Sequence, residues 1–443
     1  MTPNRVLLTG AAAGIGAAVL LPLDEPGLGW ALTAVLVFAL LRNVRPGWAV
    51  LSVALFAVGA FVSAGWIFTL CAIAGCASGS LAVTGGRTAR GLVFGAGAVP
   101  LAAVRAVPWV ARGVRASGAL PLARPILVTA GLLVVFVPLL AGADAAFADL
   151  LGTLGPDESA GQPVLLFLAV GLGTVGAAYL RVSPPGLDGV ADLPRTTARR
   201  DWVLPVGALV LLFAVFVAVQ VRTLFAGDEH VLVTPDLTYA DYARGGFWQL
   251  LAVTVLTLGV IAVVARLARL DSPTDRRWLR GLLGALGVLT LVIVASALAR
   301  MWLYQQAYGF TVLRVLVSAC ELWLGVVYLL VLAAGVRLDG GWLARAVVGT
   351  GFAALVGLAA LNPDRFIAER NVERYQATHK IDVWYLAKLS DDAVPVLAAL
   401  PDDLRDCALE FRRVAPDDWR SWNLARRQAR QALAGISLDG CAR

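Results

Sequence analysis

Apolar residues run along this chain in blocks of about 15–25, separated by short polar turns, and blocks of that length cross a bilayer as helices. They fall at 6–23, 28–41, 48–64, 66–84, 126–143, 163–180, 203–221, 247–265, 281–299, 312–335 and 344–361, which predicts about eleven spans. A further segment, 91–104, is apolar but short and interrupted by Gly and Pro100. Basic and acidic turns alternate in phase with the blocks. Arg42 and Arg45, Arg87 and Arg90, Arg181 with Arg195–Arg200, and the loop Arg266–Arg280 follow every second block. Asp24–Glu25, the acids from Asp144 to Glu158, and Asp228–Glu229 fall between them. Basic loops stay cytoplasmic. The N-terminus is therefore expected in the cytoplasm, and an odd number of crossings puts everything after Leu361 outside. If 91–104 also crossed, the span count would be twelve. It would then set Arg87 and Arg90 opposite the cluster Arg105, Arg112, Arg115 and Arg124, so it reads as re-entrant or interfacial.

Three regions follow. Residues 1–125 hold the N-terminal spans and a basic loop, 126–361 the transmembrane core, and 362–443 a polar, nearly charge-balanced tail. The tail repeats helix-start patterns. Asn362-Pro363-Asp364 reads as N-cap, first position and acidic first turn. Ser390-Asp391-Asp392, Pro401-Asp402-Asp403 and Pro416-Asp417-Asp418 read the same way. Three or four short helices are expected there, with Trp384, Leu397, Phe411, Trp419 and Trp422 as packing anchors. The fold class is therefore all-α: a polytopic transmembrane bundle with a small helical extramembrane tail.

Composition agrees. Of 443 residues 59% are hydrophobic and 15% charged, with mean hydropathy +0.77, whereas soluble domains carry about 25% charged residues. The net charge of +7 sits in loops between spans, which points to the lipid bilayer as the partner and away from nucleic acid. Cys71, Cys76 and Cys320 lie in apolar spans. Cys407 and Cys441 are the tail's cysteines, and an outside tail would let them pair. There is no CxxC or Cys/His cluster, so no metal site or cofactor is expected. No GxxxxGK[ST] loop exists either, which excludes an energy-coupling ATPase domain of that type.

One string misleads. VLLTGAAAGIGAAV places Thr9, Gly10, Gly14 and Gly16 like the phosphate-binding turn of short-chain dehydrogenases. That fingerprint needs a strand before it and an acid about 20 residues on. Here a second apolar span follows, so the glycines read as close helix packing. The polar interruption RMWLYQQAYGFTVLRVLVSACELW is more informative. Arg300 closes one span, and Tyr304 and Tyr308 sit in an aromatic and Gln-rich turn. Arg314 and Glu321 then fall inside the next apolar run, where a central charge costs about 2.5–3.5 kcal/mol. Seven residues apart, the two share a helix face without pairing directly. Either Arg314 snorkels to the interface and Glu321 is a satisfied buried acid, or they line a polar cavity. Tyr242 and Arg244 precede a span as interface residues or part of an outer binding surface, and Asp228-Glu229-His230 reads as a solvated loop with one titratable imidazole. Arg374 and Asp382 in the tail could close a site with Arg300 and Arg314.

The strings GLLVVFVPLLAGADAAFADL, TYADYARGGFWQLLAV, MWLYQQAYGFTVLRV, LNPDRFIAERNVERY and KIDVWYLAKLSDDAVPVL resemble a bacterial membrane family known only as a domain of unknown function, the 4153/4173 group. The resemblance covers about residues 126–400. It implies a multi-pass inner-membrane protein and brings no activity. The recurring positions of that family fall on Asp144, Tyr239, Tyr242, Arg244, Gln249, Tyr304, Tyr308, Arg314, Asn371, Arg374, Tyr375, Asp382, Tyr385 and Asp391, and not on Glu321. The leading expectation is a transporter- or channel-like protein with a polar site near its outer face, taking a small-molecule ligand. The alternatives are a membrane-embedded enzyme on an envelope or lipid-linked substrate, and a sensory or assembly protein whose tail binds an envelope protein. No catalytic residue can be named, and no feature of the chain encodes an oligomeric state.

Overall fold

The structure is a computed structural model that describes residues 3–86, 88–116, 158–184, 186, 195–225, 239–414, 416–436 and 441. Those residues form helices and no strand, with one isolated bridge between Thr197 and Ala268. They divide into two compact units. One comprises Met1–Asp188, Ser390–Asp392 and Arg413–Ala434. The other comprises Gly189–Leu389, Ala393–Arg412 and Gly435–Arg443.

The first unit contains α1 (Pro3–Leu20), α2 (Leu28–Leu41), α3 (Pro46–Ala57, prolonged by a 3-10 turn, Val58–Ala60), α4 (Gly65–Thr84), α5 (Ala89–Ala96), α6 (Ala98–Ala116) and α7 (Glu158–Val182). Its closest pairing is α1 on α7. The misleading glycines explain it: a Cβ on Gly14 would lie 2.6 Å from the Phe167 carbonyl oxygen, and Gly10 and Gly171 face one another. Small residues four apart let two backbones approach this closely. α5 and α6 meet at 55° around Gly97. Ser80 ties that bend to α4, donating to the Gly95 carbonyl and accepting from the Val99 amide at 3.2 Å. Ala106 of α6 then joins Val6, Leu41, Val175 and Ala178 in one buried cluster.

The second unit contains α8 (Arg199–Phe225), α9 (Tyr239–Leu267), α10 (Pro273–Tyr308), α11 (Val312–Arg337) and α12 (Leu343–Ala360). The tail helices α13 (Pro363–Thr378), α14 (Val383–Leu386), α15 (Val394–Leu397) and α16 (Asp402–Leu409) follow. α10 is central, packed against α8, α9 and α11. Leu279, Leu286, Ile293, Ala297 and Met301 recur along it at helical spacing and meet Trp202, Phe213, Ile261 and Tyr328 from its neighbours. A capping box starts it: Ser272 Oγ accepts from the Asp275 amide, and Asp275 Oδ2 accepts from the Ser272 amide, each at 3.1 Å. Its 36 residues extend about 54 Å, so both ends pass beyond the hydrocarbon layer of about 30 Å. The last helix, α17 (Leu424–Leu433), belongs to the first unit.

Seven helices among the described residues are long and apolar enough to cross a membrane, or eight with the bent pair α5–α6 counted as one. The chain is thus a helical membrane protein, but this is fewer than the eleven spans expected. The apolar stretches of α1, α2 and α3 with its 3-10 turn are shorter: Asn4–Leu20, Leu28–Leu41 and Pro46–Ala60, at 17, 14 and 15 residues. Their blocks are cut where α1 ends at Leu20 and α3 gives way to the 3-10 turn. The expected span 126–143 lies outside the described residues. So does the loop with Asp228, Glu229 and His230. The helix start expected at Pro416 is not there: residues 419–421 form a turn, and α17 begins only after Asn423, whose side chain accepts from the Arg426 amide at 3.0 Å.

Candidate functional site

α10 and α11 are joined by a turn in which Gly309 has φ +84°, the left-handed region that favours glycine. Thr311 caps α11 by accepting from the Arg314 amide at 3.4 Å. Arg314 therefore stands on the first turn of its helix rather than at its middle. Its Nη1 donates to the Tyr308 and Gly309 carbonyls at 3.2 and 2.5 Å, and Nη2 to the Tyr304 hydroxyl at 3.4 Å. The guanidinium also lies over the Tyr304 ring, 4.4 Å from its centroid, a cation–π contact.

The tail docks on this turn. Asn371 of α13 accepts from the Phe310 amide at 3.0 Å and donates to the Phe310 carbonyl at 2.9 Å. Arg374 donates to the Ala307 carbonyl at 2.9 Å and the Lys380 carbonyl at 3.1 Å. The Tyr385 hydroxyl accepts from the Val312 amide at 2.8 Å. Burial pushes that phenol up, and the amide hydrogen bond opposes the shift. Asp382 caps α14, accepting from the Tyr385 amide at 2.9 Å. Arg314, Tyr304, Tyr308, Arg374 and Asp382 thus come together as a clasp that fastens the tail. The start of the tail and the 307–312 turn therefore lie on one side of the bilayer.

Arg300 is not in this clasp. It donates to Gln220 of α8 at 2.6 Å, where Ser296 also donates at 3.1 Å, beside a cavity of about 230 Å³. Tyr242 and Arg244 lie on the first turns of α9, but their side chains are outside the described residues. Cys407 and Cys441 are joined by a disulfide closing 34 residues.

Glu321 differs from all of these. It is fully buried, and neither carboxylate oxygen has a hydrogen-bond partner among the described residues. Arg314, Ser318, Glu321 and Tyr328 recur at helical spacing, so α11 presents a polar stripe about 21 Å long. At one end the buried Gln305 donates to Ser318 Oγ at 3.0 Å; at the other, Tyr328 donates to the Thr254 carbonyl at 2.6 Å. Sequence reasoning passed over Gln305, Ser318 and Tyr328. Their signal is polar groups on the Arg314–Glu321 face of an otherwise apolar span. No group of three or more His, Cys, Asp or Glu gathers into a metal-binding set among the described residues.

These features define a helical membrane protein with a docked tail and an acid, Glu321, buried within an apolar helix. The chain belongs to the family described as Domain of unknown function (DUF4153), whose model matches residues 50–400. No curated protein and no solved structure matches it.

Proposed function

We propose that this is a multi-pass inner-membrane protein of transport- or channel-like function, in which Glu321 takes up and releases a proton or small cation. The observation that carries this is the buried carboxyl group with no hydrogen-bond partner among the described residues. A carboxylate left alone in an apolar bundle is costly, and such groups mark ion and proton pathways. A bound proton or cation removes that cost, and the stripe from Arg314 to Tyr328 supplies polar neighbours along the way. About eleven crossings with a cytoplasmic N-terminus suit the alternation of basic and acidic turns. Docking of α13 on the 307–312 turn supports an extracytoplasmic tail. The packing of α6 against Val6, Leu41 and the end of α7 supports a non-crossing 91–104. An enzyme working at the acidic turns has less support, because Glu25 is ion-paired with Arg426 at 3.2 Å.

The test is proton entry into proteoliposomes of the full-length protein under an imposed voltage, with and without a hydrophobic carbodiimide that modifies membrane-embedded carboxyl groups. Entry above protein-free vesicles, lost in Glu321→Gln and after carbodiimide treatment, is expected. Sodium protecting Glu321 from the reagent would identify a cation site. Flux that ignores both perturbations, or no flux at all, removes the reading.

A further inference from the structure

The end of the second unit opposite the 307–312 turn holds a cavity of about 460 Å³ lined by Arg195, Arg276, Arg280 and Arg337, with Asp271 and two leucines. Three separate pieces of chain supply the four arginines. Arg276 and Arg280 are four apart, on one face of the first turns of α10. Arg337 is the last residue of α11. Arg195 sits on a segment pinned from outside the cavity: the Thr197 amide donates to the Leu267 carbonyl at 3.1 Å, the Arg269 amide to the Thr197 carbonyl at 3.0 Å, and Arg269 Nε to the Arg195 carbonyl at 3.3 Å. None of the four guanidinium groups has an ion-pair or hydrogen-bond partner among the described residues. Asp271 is the one acid of the lining, so four positive charges against one negative leave the cavity at +3.

A positive turn needs only scattered arginines to hold topology. Here they converge on one volume, and among the described residues of its lining only Asp271 offsets them. Planar guanidinium forks suit phosphate oxygens. The volume is that of a ligand site, and Leu270 and Leu338 give it an apolar wall. Basic pockets between spanning helices at this depth hold anionic headgroups. We propose that this cavity binds a phosphate-bearing anion: the headgroup of an anionic phospholipid, or a soluble phosphate. The proposal is independent of Glu321.

The test uses the full-length protein. Retention of phosphatidylglycerol over phosphatidylcholine is read by native mass spectrometry. Stabilisation by inorganic phosphate is read separately, in nanodiscs of phosphatidylcholine alone. The double variant Arg276→Gln, Arg280→Gln is compared with Arg277→Gln, Arg345→Gln, which removes as much charge from residues outside the cavity lining. Lipid retention falling about 30-fold in the first pair and little in the second supports a headgroup site. Stabilisation by phosphate without lipid preference, lost in the first pair alone, supports a soluble phosphate. Equal losses in both pairs, or no response to either probe, overturn the proposal. If size-exclusion profiles show the first pair misfolded, Arg337→Gln replaces it, with a loss of about fivefold expected.

Discussion

Asn371 satisfies both main-chain groups of Phe310 with one side-chain amide, and Phe310 is itself buried. Asn371→Ala strands that donor and acceptor together, a loss of about 1–3 kcal/mol. Thermal unfolding in detergent should show a lower midpoint, with earlier protease cutting of the tail; an unchanged midpoint would leave the clasp without structural weight. Arg314 stood out in the sequence as a charge in an apolar run, and Arg374 as a residue that could close a site with it. Their partners are largely main-chain carbonyls, which no sequence pattern marks. Glu321 was legible for the opposite reason, since an acid in an apolar run is visible by itself. Only packing could show that no described residue hydrogen-bonds to it. Asp418 offers a residue-scale test of pH dependence. The Ser421 amide donates to it at 2.9 Å, which with Arg420 lowers its carboxyl from 3.8 to about 2. Because the folded value is depressed, its contribution is complete above the unfolded value and disappears as pH falls through about 2. Carbon-detected titration of Asp418 should therefore report a midpoint near 2, and a midpoint near 4 would mean the turn does not hold the charge.

The start of α4 shows what one element needs from far away. Ala64 occupies its N-cap position and offers no side-chain acceptor. Asp392 supplies it, accepting from the Ser63 amide at 2.8 Å, the Ser63 hydroxyl at 2.7 Å and the Ala64 amide at 3.1 Å. Helix N-termini leave several amides unmet, and losing a cap costs about 0.5–2 kcal/mol. Asp392→Ala should therefore lower the unfolding midpoint and speed hydrogen exchange at Ser63 and Ala64, while Asp392→Asn should keep part of the effect. Exchange unchanged at those two amides would rule the remote cap out. The sequence marked Ser390-Asp391-Asp392 as a helix start, and a 3-10 turn (Asp391–Ala393) running into α15 does begin there, but nothing in the string shows that Asp392 also caps α4. Composition identifies the cap and not its recipient. The same limit displaced the helix start expected at Pro416. There Asp417 pairs with Arg426 at 2.6 Å and Arg430 at 2.7 Å, and Asn423 does the capping. Helices with local capping signals, such as α13 at Asn362-Pro363 and α16 at Pro401-Asp402, begin where the sequence placed them.

At the scale of the molecule, apolar block length was enough to read a helical membrane protein, because backbone in lipid must satisfy itself and a helix does so. Block length could not say where a helix breaks inside its block, which accounts for part of the difference in counts; the block 126–143 lies outside the described residues. The decisive observation is the side on which the tail lies. With Cys71, Cys76 and Cys320 replaced, Cys407 and Cys441 should react with a membrane-impermeant maleimide in intact cells, and only after reduction. Reaction confined to lysed cells would put the tail in the cytoplasm and imply a miscounted crossing. The tail is also shared, with Ser390–Asp392 and Arg413–Ala434 in the first unit and the rest in the second. This bears on biosynthesis. Asp392 emerges 329 residues after Ser63, roughly 15–65 s later at the usual rate of translation. Until then the Ser63 and Ala64 amides at the start of α4 lack this acceptor. A helix start made early is thus completed by a residue made much later, and a chain truncated before Asp392 forfeits stability at Ser63 and Ala64, far from its broken end.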